Sequence, residues 1–299
     1  MNDAQHRTTL ARFLRTRRER IRPEHAGLPA GGRRRTPGLR REELAQLAGV
    51  GATWYTWLEQ GRPIRVSAAV LESIARTLHL DPDERAYLFV LARDETTTPL
   101  PAFAPAIAPN LQQVLDALDH YPCYVLDARW NVVAWNAAAC VAFADFPALS
   151  GRERNILWRM FTYPAQRTFF VQWEQEAQIA LAIFRAGTVR YVGEAWYTEL
   201  VADLMHSSPE FAAWWPRADL RGVYAGQKEI DHPKAGRMVF QPVTLLVAET
   251  QDQRVVAFAP LAETDTECKL RHLLSVKRAQ DERDIPAGIA TRRHDDDSG

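Results

Sequence analysis

Five consecutive residues, Thr53, Trp54, Tyr55, Thr56 and Trp57, bring two hydroxyls, a phenol and two indoles together inside the stretch GVGATWYTWLEQGRP. A threonine hydroxyl donates and accepts hydrogen bonds beside a methyl group, whereas an indole N–H only donates, at the rim of a large apolar face. None of these is an activated nucleophile or a proton carrier near neutrality, so their chemistry is recognition. The surrounding charge suits a polyanion. Residues 1–41 hold 12 arginines against Asp3, Glu19 and Glu24, and residues 1–93 hold 17 arginines, 10 acids and no lysine. The whole chain is neutral, with 37 residues of each sign, so the remainder must be acidic. A basic N-terminal module joined to an acidic larger one is the layout expected of a nucleic-acid reader with a second function. The clusters Arg15/Arg17/Arg18 and Arg33/Arg34/Arg35 have two readings, a solvated face or phosphate contact; arginine without lysine favours the second.

Covalent and metal chemistry find no support. Cys123, Cys140 and Cys268 are far apart, odd in number and never in a CxxC pair, which argues against a disulfide framework and against zinc. His232 precedes a proline and is expected to fix a turn in DHPKAG. His206 follows Asp203 by one helical turn without an HExxH context. No Walker loop or GxGxxG appears, so no enzyme activity, cofactor or metal is expected.

These side chains need elements to hold them. A chain of 299 residues exceeds one comfortable core and suits two domains. RTTLARFLRTRRERI has an apolar stripe at helical spacing, and RPEHAGLPAGGRRRTPG then breaks the helix. LRREELAQLAGV is helical and closes at Gly49; ATWYTWLEQ follows, ended by Gly61 and Pro63. SAAVLESIARTLHL opens on Ser67 as N-cap, and DPDERAYLFVLA on Asp81 with Pro82 at the first helical position. Five helices thus fill residues 1–93. Residues 94–109 are proline-rich and read as a linker. Residues 110–278 read as α+β: a helix, a hairpin around DARWN, an aromatic-rich helical stretch, β-rich runs and a closing helix. Residues 279–299 read as a disordered tail. No run approaches the ~18 apolar residues of a membrane span, and the N-terminus lacks the apolar core of a signal peptide, so a cytoplasmic protein without a membrane partner is expected.

Two helices joined by a tight glycine turn form a helix-turn-helix pattern, with Ala45 small where the second helix crosses it. Val50, Tyr55 and Leu58 then face inward, while Ala52, Thr53, Trp54, Thr56 and Trp57 are directed away from the core. Trp57 is the outward indole; Trp54 can equally pack against the rest of the chain. The segment RRTPGLRREELAQLAGVGATWYTWLEQGRPIRVSAAVLESIARTLHLDPDERAYLF resembles the XRE-type, λ-repressor-like helix-turn-helix of the MmyB-like regulators of actinobacteria. The resemblance implies that Arg40 and Arg41 hold the DNA backbone, that Ala52, Thr53 and Trp57 face base edges, and that Arg62 lies near a phosphate. Gly51 departs from the serine often found there; a glycine cap costs only a few tenths of a kcal/mol, but one hydroxyl contact is lost.

The segments WNVVAWNAAA, RNILWRMFTYPAQRTFFVQWE, LMHSSPEFAAWWPRADL and KEIDHPKAGRMVF resemble the ligand-binding domain of the same family, a PAS-like fold with an antiparallel sheet. Its aromatics either fill a core or wall an apolar cavity. On the second reading Trp135, Trp158, Phe161, Phe169, Trp173 and Trp214 line a site for a small apolar ligand, with Asn136 and Arg159 at its polar end; the resemblance suggests a fatty-acid-like molecule. The whole reads as a homodimeric regulator of a double-stranded DNA operator. The alternative is a regulator whose C-terminal domain is a ligand-free dimerisation or recruitment module.

Overall fold

The computed structural model describes residues 2–28, 38–92, 107–217, 226–248, 250 and 252–284. The Arg33/Arg34/Arg35 cluster, all of the linker up to residue 106 and the tail from residue 285 lie outside them. Five α-helices make the N-terminal unit: α1 (Asn2–Arg20), α2 (Arg41–Ala48), α3 (Ala52–Glu59), α4 (Ala68–Thr77) and α5 (Pro82–Ala92). Each boundary has a local cause. Glu43 accepts the Arg40 N–H at 2.7 Å at the start of α2, and Gly49 ends it at φ +69°, a left-handed conformation that glycine adopts without a Cβ clash. Ser67 caps α4 by accepting the Val70 N–H. Asp81 and Glu84 cap α5 reciprocally, each carboxylate accepting the other's N–H. Leu10, Phe13, Leu14, Leu44, Ala45, Tyr55, Leu58 and Ile74 close the core among them.

The C-terminal unit is built on a five-stranded antiparallel sheet in the order β2-β1-β5-β4-β3. Its strands are β1 (Cys123–Leu126), β2 (Val132–Trp135), β3 (Lys228–His232), β4 (Gly236–Leu246) and β5 (Arg254–Pro260). The β1–β2 hairpin turns where expected, at Asp127–Asn131, because Asp127 accepts the N–H groups of both Arg129 and Asn131. Side chains alternate along β5. Val255 faces a small cluster with Leu115 of α6 (Pro109–Ala117), and Phe258 faces the main aromatic core.

That core is covered by α7 (Ala137–Ala142), α8 (Ile156–Thr162), α9 (Pro164–Phe169), α10 (Trp173–Thr188), α11 (Ala195–Ser207) and α12 (Pro209–Trp214). The closing helix α13 (Thr266–Asp284) is fastened to the sheet by Thr266, whose Oγ1 accepts the Val239 N–H at 2.8 Å. The structure differs from expectation in two places. Lys228–His232 forms a strand, its register with β4 set by the Gly236 turn, and α13 runs to Asp284, past the expected start of the tail at 279.

Candidate nucleic-acid interface and ligand cavity

The short helix α3 divides its aromatics by periodicity. Tyr55 and Leu58 are buried, while Ala52, Thr53 and Trp57 are exposed. Trp54 is half-buried against the helical core, which corrects its placement among the outward residues: one position before Tyr55, it lies at the edge of the inward stripe. Thr56 is half-buried and spends its hydroxyl hydrogen on the Ala52 carbonyl at 2.8 Å, leaving the oxygen to accept. The Arg62 guanidinium lies over the Trp57 ring at 5.5 Å, and the Arg62 N–H donates to the Trp57 carbonyl at 3.0 Å. Arg40, Arg41, Glu42, Ala52, Thr53 and Thr56, with Arg18 beneath, line one open depression between the starts of α2 and α3. Hydrogen-bonding side chains and arginines thus share one surface, as phosphate and base-edge contact requires.

What holds this surface in shape is Glu59, whose side chain is fully buried at the end of α3. It accepts two parallel hydrogen bonds from Arg18 of α1, both at 2.7 Å, and one from Arg41 Nε of α2 at 3.0 Å. Arg18 adds a bond to the Leu39 carbonyl at 2.6 Å. Burial by itself would raise the Glu59 pKa; the hydrogen bonds and charges of Arg18 and Arg41 overcome it and hold the carboxyl below its usual range. Arg17 pairs with Glu84 at 2.9 Å, both buried. The first arginine cluster is therefore corrected: Arg17 and Arg18 are internal braces, and of the three only Arg15 is exposed. Arg41 keeps its place at the rim but is steered by Glu59. Gly38, at φ +68°, passes so close that a Cβ would meet the Arg18 carbonyl at 2.5 Å.

A second concavity of about 530 Å³ lies in the C-terminal unit between α7, α8, α9, the β3–β4 turn and α13. Val141, Phe143, Phe169, Leu273 and Val276 supply its apolar wall; Arg159, Lys234 and Lys277 bring three cations against Asp145 and Asp231. Arg159 lies over the Tyr163 ring at 5.1 Å, and burial pushes its pKa down from the ordinary value, a cost that an anion would relieve. His232 fixes the turn as expected: its Nδ1 accepts the N–H groups of Lys234 and Ala235, and burial lowers its pKa, keeping it neutral.

Of the eight expected ligand contacts, Arg159 and Phe169 line this cavity and six do not. Asn136 is a structural cap. Its Oδ1 accepts the N–H groups of Cys123 and Ala139, and its Nδ2 donates to the carbonyls of Leu115, Leu118 and Tyr121. Trp135 stacks on Phe146, and Trp158 lies beneath Arg152. Phe161, Trp173 and Trp214 pack on one another, with the Trp173 indole donating to the Met160 carbonyl at 3.0 Å. These rings fill space. Lys234 and Lys277 were missed because single lysines in a turn and on a terminal helix carry no distinctive spacing. Among the described residues no group of three or more His, Cys, Asp or Glu side chains converges to hold a metal, and no helix is long and apolar enough to cross a membrane.

Comparison with known proteins matches these two units separately. A family model described as a helix-turn-helix domain covers residues 9–88, and one described as the MmyB-like transcription regulator ligand binding domain covers residues 107–274, more than half of the chain. No curated protein sequence matches it. With a helix-turn-helix unit of five helices and an α+β ligand-binding unit in one polypeptide, the chain belongs to the MmyB-like transcription regulators, DNA-binding proteins that carry a ligand-binding domain.

Proposed function

We propose that the protein is a sequence-specific regulator that binds a double-stranded operator as a homodimer in the cytoplasm. Ala52, Thr53 and Trp57 read base edges, Thr56 supports them, and Arg40, Arg41 and Arg62 hold phosphates. The observation that carries this reading is the exposure of Thr53 and Trp57 beside the arginine-lined depression. Thr53 can hydrogen-bond a base and touch a thymine methyl, while Ala52 offers apolar contact alone. Genomic footprinting followed by binding assays on the site found is the test. The double variant Thr53→Ala/Trp57→Ala is expected to weaken operator binding by at least about tenfold, at roughly 1–3 kcal/mol per base contact, and wild-type affinity should fall steeply with salt. Unchanged affinity of the double variant would remove the reading face.

The C-terminal domain, whose strand order supports a PAS-like fold, takes a small amphipathic, fatty-acid-like ligand in the cavity, its acid on Arg159 and its apolar body along Phe169 and Leu273. Fatty acids of increasing length are expected to raise the melting temperature of wild-type protein and to do so much less for Arg159→Gln. The mutual packing of Phe161, Trp173 and Trp214 favours a second reading, a ligand-free dimerisation or recruitment module. The absence of any shift across the series would select it.

A further inference from the structure

The two units meet through a side chain that belongs to one by sequence and to the other by packing. Val189, in the 3₁₀ turn Val189–Tyr191 after α10, is buried in the helix-turn-helix core, with Ala186 packed against the same cluster. One turn back on α10, Arg185 is buried, its guanidinium 4.5 Å from the Trp215 ring centre and its Nη2 donating to the Trp215 carbonyl at 2.5 Å. Tyr87 of α5 and Tyr197 of α11 are buried beside it. A second strap crosses nearby: Arg20 of α1 donates to the Arg217 carbonyl at 3.2 Å.

The same helix is tied at both ends. At its start Trp173 meets Phe161 of α8 edge-on, with Arg167 of α9 4.1 Å above its ring centre, and α8 and α9 wall the ligand cavity. At its end Gly187 lets the Arg254 guanidinium of β5 approach, so that an added Cβ would lie 3.3 Å from it. A helix of 16 residues spans ~24 Å, from the cavity wall to the helix-turn-helix core. Thr53 and Trp57 stay exposed with the units docked.

We propose that the α10 corner around Arg185 and Val189 is a standing part of the DNA-reading domain, so that the two domains form one mechanical body. The docked face is the α1/α5 side, and its partner is the regulatory domain of the same chain. Whatever fills the cavity acts by turning the reader as a unit, because docking does not cover the reading face. This use of the contact rests on the DNA-binding assignment above; the docking does not.

The experiment uses the full chain with a site-specific protease sequence placed within residues 94–106. After cleavage the halves are expected to co-elute in gel filtration at physiological salt and to melt in one transition. Halves that elute separately overturn the proposal, whatever any variant does. In the uncut chain Val189→Asp puts a charge into the shared core and is expected to split the thermal transition in two and to enlarge the radius of gyration from X-ray scattering. Arg185→Met, which keeps the side chain's bulk, should do the same to a lesser degree. A Val189→Asp chain with the wild-type radius and a single transition overturns the proposal. An uncut chain that binds no operator, with halves that stay associated after cleavage, would instead sink the DNA-reading assignment and leave the docking intact.

Discussion

Glu59→Ala is expected to lower the unfolding free energy by about 3–5 kcal/mol, the usual cost of removing one partner from a buried ion pair. The reason is the arrangement of charge: Arg18 is buried and bidentate on Glu59, and Arg41 shares the same carboxylate. Truncation leaves the buried Arg18 guanidinium with the Leu39 carbonyl and, 3.9 Å away, the half-buried Glu19 carboxylate, a weaker setting than the bidentate pair. The double variant Glu59→Ala/Arg18→Met should recover much of the loss, since no buried charge is then stranded. Urea denaturation measures both, and a loss below about 1 kcal/mol would mean that the pair contributes no more than a surface contact.

The same group gives a pH dependence of definite sign. Its folded pKa is depressed, so its stabilisation is complete above the unfolded carboxyl value of about 4.3 and is lost as pH falls through the folded value. Glu59→Gln should remove that part of the acid slope, because the variant has no proton to take up.

Asn136→Ala is the second large effect, and it separates a structural asparagine from a ligand contact. Five backbone groups from three chain segments, the Cys123 strand, the start of α7 and the last turn of α6 with the loop after it, converge on this one amide. The three carbonyls keep other donors, the N–H groups of Leu118 and Tyr121 and the Cys123 thiol, but the buried N–H groups of Cys123 and Ala139 lose theirs at roughly 1–3 kcal/mol each, so a loss of at least about 2 kcal/mol is expected. Asn136→Asp should preserve the two accepted bonds and lose the donated ones, giving an intermediate loss. If denaturation showed Asn136→Ala as stable as wild type while its response to fatty acids vanished, the amide would belong to the ligand site.

The periodic and punctuated parts of this chain were legible from sequence. Gly49 and Gly61, Ser67 and the Asp81-Pro82 pair mark helix ends by local backbone chemistry, and the structure places those ends there. The division of Tyr55 from Trp57 followed from 3.6-residue spacing alone. Charge was less legible. Counting arginines could not reveal that Arg17 and Arg18 face acids 67 and 41 positions along the chain, Glu84 and Glu59, because pairing across a fold is set by packing and composition is blind to it. The one signal available was Glu59 itself, the single acid of α3. The aromatics of residues 158–215 misled for a related reason: abundance of rings does not distinguish rings that pack on each other from rings that surround a space. Only placement could show that the cavity lies where polar turns and helix ends meet.

Val189 also bears on how such regulators can be recombined. An exchange of DNA-reading domains cut within residues 94–106 would follow the family boundaries, yet it would leave behind a valine that completes the outgoing domain's core. The incoming domain would meet that corner with a surface shaped for another neighbour. Hybrids that also transplant Tyr87 and its neighbours along α5, or that import a matching residue at 189, should be the ones that express well and answer to the host domain's signal.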